Sequence, residues 1–214
     1  MDLFTTITFI VSETSDLSEI VPMTAWLIFT RKKEHYKILG IFLVTSAILK
    51  IASVITAKTG CNNMLLYHFI GMSEIVIVYC FYSRLIFKKV YVWGALLLLA
   101  SNVYCLTRLK HLLDFNSYGW ALNMGFIMIM GVTYLFRLYN NENDRSPLEQ
   151  RPDFIINAGW LIYAAGSLFT YLLGTEILSG KAEGFFHNAW IFMCISNIFK
   201  NILITYGLWR ARLD

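Results

Sequence analysis

The chain has 214 residues, of which 57% are hydrophobic and only 15% charged, with a net charge of +4. A soluble domain carries about 25% charged residues, so this composition excludes a disordered, coiled-coil or nucleic-acid-binding chain and argues against an ordinary soluble enzyme. Three prolines and no Gly/Ser-rich linker make residues 1–214 one domain.

A helix that crosses a bilayer needs about 20 mostly apolar residues. Seven apolar runs bounded by charge or turn residues meet or approach that length: Leu17–Thr30, Ile38–Ala57, Met64–Phe87, Val90–Thr107, Tyr118–Tyr139, Phe154–Leu173 and Phe185–Trp209. Backbone in lipid must satisfy its own hydrogen bonds, which favours helices. The runs lack the strict alternation of a transmembrane barrel. The expected fold is therefore all-α, a single integral membrane bundle of seven transmembrane helices.

The first span is short, with Glu13, Asp16 and Glu19 around its start. Asp16 followed by Glu19 reads as a helix-start cap, with Pro22 tolerated in the first turns. Leu3–Val11 either extends this span or lies along the surface. It lacks the basic leading region of a signal peptide. No span is broken mid-membrane by a Gly/Pro pair, and no inverted repeat is visible, so the usual sequence pointers to a transport site are missing.

The loops set the orientation. Arg31, Lys32, Lys33, Lys37, Arg84, Lys88, Lys89, Arg137, Arg145, Arg151, Arg210 and Arg212 fall on one side, against Lys58, Arg108, Lys110 and Lys181 on the other. The positive-inside rule then puts the N-terminus outside and the C-terminus inside. The longest inner loop, Asn140–Pro152, is too small for an enzymatic domain, so any signal would pass to a separate protein.

Ionisable residues at membrane depth are functional candidates by default. Lys50, Glu74 and Lys200 qualify. At 1.5 Å per residue, Glu74 and Lys200 lie about 15 Å from the ends of their spans, close to the bilayer centre. Lys50 lies in the outer half of its span, where it can snorkel. In the last span Ser196, Asn197, Lys200 and Asn201 share one face, pointing into a bundle. The third span offers His68, Ser73 and Glu74. The simplest expectation pairs Lys200 with Glu74, either as an architectural lock or as a reactive amine with its counter-charge.

Seven spans, a lysine in the middle of the last and a carboxylate in the middle of the third resemble the microbial rhodopsins. Phe192-Met193 ahead of Lys200, and Trp160 with Tyr163 in the sixth span, are similar to that family's retinal surroundings. The resemblance implies retinal held as a Schiff base on Lys200, Glu74 as counterion, and Ser73, His68, Trp160, Tyr163, Ser196, Asn197 and Asn201 around them. The chain departs from that pattern: Ser196 replaces an aspartate, Gly71 an arginine, Ile75 a tryptophan and Ala164 a proline. No second carboxylate lies inward of Glu74, so a sensory role fits the resemblance better than proton pumping. The strings LYHFIGMSEIVIVYCFY, FNSYGWAL, INAGWLIYAAGSLF and FHNAWIFMCISNIFKNIL also resemble a group of bacterial seven-helix membrane proteins of unassigned function.

Other constellations are less specific. His68, His111 and His187 with Asp114 could hold zinc, but His187 is followed four residues on by Ile191, so the paired-histidine pattern of seven-helix zinc hydrolases is absent. Cys61 and Cys105 lie near the outer face and could bridge; Cys80 and Cys194 read as core. Trp26, Trp93, Trp120, Trp190 and Trp209 suit an interfacial belt. The expected function is a retinal-bearing photoreceptor of the cell membrane. The alternative is a retinal-free receptor or transducer with a structural Lys200–Glu74 pair; a zinc hydrolase or a transporter ranks lower. The partners expected are the lipid bilayer, a signalling protein at the inner loops and a second copy of the chain, with no nucleic acid.

Overall fold

A computed structural model describes residues 3–109, 113–140, 147–174 and 185–213. Among the described residues every regular element is helical. The first segment comprises α1 (Leu3–Ser18) and α2 (Ile20–Ala25), which runs on into a π-helical turn (Trp26–Thr30). After a 3-10 turn the chain returns through α3 (Lys37–Lys58), α4 (Met64–Phe87) and α5 (Val92–Tyr104), the last closing in a second π-helical turn. Then follow α6 (Ser117–Tyr139), α7 (Pro152–Leu172) and α8 (Phe185–Ala211).

Among the described residues five stretches are long and apolar enough to cross a membrane: Glu34–Lys58, Met64–Phe87, Ser117–Tyr139, Pro152–Leu172 and Asn188–Ala211. The stretch Val92–Thr107 is apolar but shorter.

The first segment differs from its expected form. Of the two forms left open for Leu3–Val11 it takes the extended one, with the helix starting at Leu3, and it is interrupted at Glu19. Pro22 explains the interruption: it has no N–H to offer the Ser18 carbonyl, and its ring crowds that oxygen. Asp16 lies inside α1 and caps nothing. Glu19 precedes α2, but its side chain makes no capping hydrogen bond. A break of this kind was expected in no span.

The helices close into a ring. The first segment packs between α3 and α8, α4 between α3 and α6, and α7 between α6 and α8. The helix α5 leans on α4 and α6 from outside the ring. Small residues allow the closest approach, between α7 and α8. A Cβ on Gly159 would lie 3.1 Å from the Lys200 carbonyl oxygen, and one on Gly166 would lie 2.1 Å from Ser196 Oγ. Packing through small residues is the usual way helices associate where no hydrophobic force separates them from solvent.

The core is largely apolar, but so are the outer faces, and polar side chains are buried among the helices. Ile48, Leu97, Ile129, Phe136, Phe169, Phe199 and Ile202 are exposed on the outer faces. Asn102, Asn123, Asn157, Ser167, Asn197 and Asn201 are buried. The buried amides join helices. Asn102 Nδ2 donates to Asn123 Oδ1 at 2.8 Å, and Asn123 Nδ2 donates to the Gly71 carbonyl at 3.0 Å, tying α5, α6 and α4 together. Tyr82 Oη donates to Asn157 Oδ1 at 2.6 Å, joining α4 to α7.

Asn123→Ala should therefore destabilise the bundle by about 1–2 kcal/mol, the upper range for an interhelical hydrogen bond in a membrane protein. Adding Asn102→Ala should cost little more, because its partner is already gone. Thermal unfolding of the singles and the double in one detergent measures both effects.

Candidate functional site

Five ionisable side chains converge on the inside of the ring: Asp16 and Glu19 from the first segment, Lys50 from α3, Glu74 from α4 and Lys200 from α8. Glu19, Glu74 and Lys200 are 7%, 3% and 2% exposed. Asp16 and Lys50 are partly buried and form a direct ion pair, with Lys50 Nζ donating to Asp16 Oδ1 at 2.9 Å. The same ammonium lies 5.6 Å from the centre of the Tyr67 ring. One turn before Lys50, Ser46 Oγ donates to Glu19 Oε2 at 2.5 Å. Residues four apart share a helix face, so Ser46 and Lys50 together grip two carboxylates presented three residues apart by the first segment. Lys50 thus does not act as a surface-seeking cation; it holds the first segment in place.

The polar stripe of the last helix faces inward as expected. Ser196, Asn197, Lys200 and Asn201 are all buried, while Phe199 and Ile202 are exposed. Lys200, however, does not meet Glu74. Among the described residues the ion pairs are Asp16–Lys50, Glu13–Lys58, Glu34–Lys37 and His35–Asp153. The reason is topological: α4 and α8 stand on opposite sides of the ring, each packed mainly on other helices. The Lys200 ammonium lies 4.2 Å from the Tyr163 ring centre and 5.0 Å from that of Trp160. Both aromatics belong to α7, and each offers its electron-rich face to the cation. Tyr163 Oη is in turn 2.9 Å from Tyr171 Oη.

Asn197 and Asn201 do not solvate a Lys200–Glu74 pair either. Asn197 Nδ2 donates to Ser15 Oγ at 3.0 Å, and Asn201 Nδ2 donates to Ser18 Oγ at 2.7 Å. Both amides bind the end of α1 to α8. Ser196 Oγ donates within its own helix to the Phe192 carbonyl, and Ser73 Oγ likewise to the Ile70 carbonyl. His68 is buried on α4. Trp160 is fully buried and packs against Phe42 at 5.1 Å between centres. Trp120, expected in an interfacial belt, is buried and stacks on Tyr171 at 4.9 Å. The bare Cα of Gly71 makes room for its indole.

These side chains enclose a cavity of about 50 Å³, lined among others by Asp16, Glu19, Lys50, Tyr67, Glu74, Tyr163, Tyr171 and Asn197. Such a volume takes roughly three water molecules. Glu74 Oε2 and Asn197 Oδ1 have no hydrogen-bond partner among the described residues. His68, Trp160 and Lys200 do not line the cavity.

Asp16 and Glu19 are the members that sequence reading placed elsewhere. Their signal was the three-residue spacing of Glu13, Asp16 and Glu19. It reads as a helix start only if the helix begins at Leu17; once the helix begins at Leu3, it is an acidic face. No group of His, Cys, Asp and Glu among the described residues could hold a metal. His111 and the His187 side chain lie outside the described residues. The four cysteines are free, Cys61 exposed and Cys105 buried, so the possible Cys61–Cys105 bridge is not formed.

Comparison with family models, with curated proteins and with solved structures gives no match for this chain.

The cavity is lined by three carboxylates, the Lys50 ammonium and several hydroxyls, with Lys200 buried behind it. Its natural chemistry is the exchange of protons and hydrogen-bond partners. Lys50→Met should cost about 2 kcal/mol or more, because it leaves Asp16 without its counter-charge. Pairing it with Asp16→Leu should recover most of that loss. Unfolding free energies around the double-mutant cycle measure the coupling, and additive losses would mean that the two charges do not support each other.

Proposed function

We propose that the chain is a seven-span receptor or transducer of the cell membrane, with its N-terminus outside and its C-terminus inside. The observation that carries this reading is the enclosure of five ionisable groups within one helical ring: such groups are expensive at membrane depth and are kept for function. The first segment and α5 complete the seven spans, the former tolerating its acidic residues because they face Lys50, Ser46 and the interior. The charge asymmetry of the loops supports the orientation. The order of the ring, with α5 outside and α8 closing on the first segment, supports a rhodopsin-like bundle.

The interior cluster is the sensing element of this reading. The first segment is bound to α3 through Lys50 and Ser46 and to α8 through Asn197 and Asn201. A change in the charge state or hydrogen bonding of Asp16 or Glu19 alters both attachments at once. Its break at Glu19 makes the first segment the part of the ring best able to shift. The output passes from the inner loops to a separate protein.

The reading is retinal-free. The residue types around Lys200 suit retinal in kind, namely an amine, a carboxylate and aromatic walls. The space supports the retinal-free alternative: ligand pockets usually measure about 300–1,000 Å³, the enclosed cavity measures about 50 Å³, and Lys200 does not line it. Trp120 and Tyr171 fill the volume beside Gly71. A transport reading gains one feature, the break at Glu19, but no internal repeat accompanies it.

Two measurements test this. Amide hydrogen exchange on the purified chain should show Asp16→Asn raising exchange about tenfold at the inner ends, around residues 31–36 and 147–152, as well as locally. A change confined to the outer halves of α1 and α3 would reduce the cluster to architecture. Adding all-trans-retinal to the apoprotein should produce no visible band that depends on Lys200. A band present in the unmodified chain and absent in Lys200→Ala would restore the photoreceptor.

A further inference from the structure

A second site lies far from the interior cluster, at the end of the bundle where α3 and α7 begin and α4 and α6 end. A cleft of about 530 Å³ opens there. Arg84 and Lys88 at the end of α4 and Arg151 at the start of α7 line it, together with His35 and Asp153. Two exposed cations, Arg84 and Lys88, thus share the cleft with Arg151, which is engaged elsewhere, and with one lining carboxylate. That carboxylate is already engaged: His35 Nε2 lies 3.1 Å from Asp153 Oδ1 and 3.0 Å from Oδ2. Arg84 and Lys88 are exposed, and neither forms an ion pair among the described residues.

The backbone adds to the positive field. The first turn of α7 has no side-chain cap, and Pro152 sits at its opening. The N-terminal end of the 21-residue α7 therefore opens into the same cleft, its positive end answered in part by Asp153 in the first turn, so the exposed Arg84 and Lys88 carry the attraction for an oxyanion. Lys88 adopts a left-handed conformation with φ 57°, its N–H donating to the Arg84 carbonyl. This closes the end of α4 tightly, so that both residues start from one turn of backbone.

We propose that this cleft binds a phosphate oxyanion, presented as the headgroup of an anionic phospholipid. The cleft is far larger than a bare phosphate ion needs. Leu85 and Leu138 line it beside the cations, which suits a group joined to apolar chains. The proposal goes beyond the sensing role of the interior and does not depend on it, since no residue is shared between the two sites.

The test uses the full chain in a neutral detergent, with thermal unfolding followed by tryptophan fluorescence. Mixed micelles of phosphatidylglycerol should raise Tm saturably, as a ligand of the folded state does, and phosphatidylcholine should not. In R84Q/K88N the half-saturating phosphatidylglycerol concentration should rise about 30-fold, from the loss of two cations near the surface. The control R31Q/K32Q removes two exposed charges of the same loop face outside the cleft and should respond like the unmodified chain. Should R84Q/K88N not fold, K88N alone carries the comparison, with about a fivefold loss. Inorganic phosphate is the second arm. If it alone reproduces the full shift and phosphatidylglycerol adds nothing, the phosphate site stands and its source is soluble. No shift with either probe, or an equal loss in R31Q/K32Q, would overturn the proposal.

Discussion

The contact on which the rest of this bundle depends is the Lys50–Asp16 pair, with the Ser46–Glu19 hydrogen bond one turn away. Without it the first segment would present three acidic side chains and a proline break to hydrocarbon. With it the segment closes the ring between α3 and α8 around a small polar cavity. A charge pair at this depth is seldom a net gain over well-packed apolar residues. Its value lies in register: only one placement of the first segment brings Asp16 to Lys50 and Glu19 to Ser46 together.

The second lysine is handled differently. Lys200 sits on the faces of Tyr163 and Trp160 without a carboxylate in contact. Aromatic faces attract a cation less strongly than a carboxylate does, but they let it stay in place without a partner from across the ring. Glu74, on the opposite wall, keeps one oxygen without a hydrogen-bond partner among the described residues. The interior therefore contains one satisfied pair and two looser charges, which is where any rearrangement has room to occur. The amide network of Asn102, Asn123 and Gly71 on the other wall is closed by comparison, each amide donor there having its acceptor.

The two ends of the molecule have different electrostatic tasks. The interior cluster is nearly balanced in sign, with Glu19, Glu74 and Lys200 buried and Asp16 and Lys50 partly so. The cleft between the ends of α4 and α7 carries an excess of positive charge and is open. In a bundle oriented with this end inward, the cleft lies where the inner loops meet the membrane surface. Lipid contact and signal output would then share one face.

Much of the architecture was legible in the residues alone. Long apolar runs must become helices in lipid, because nothing else satisfies the backbone there, and the inward stripe of Ser196, Asn197, Lys200 and Asn201 follows from helical periodicity. Composition and loop charge carried the membrane setting and an expected orientation. The partners of the buried charges were a different matter. A charge at mid-membrane must be compensated, and sequence reading paired the two deepest residues, Lys200 and Glu74. Which helices are neighbours is decided by how the ring closes, and ring closure depends on small-residue contacts such as Gly159 and Gly166 on α7 against α8. It also depends on where Pro22 breaks the first segment. Those are long-range steric facts that no local pattern encodes, and they set Lys50 against Asp16 while leaving Lys200 to the aromatic faces of α7.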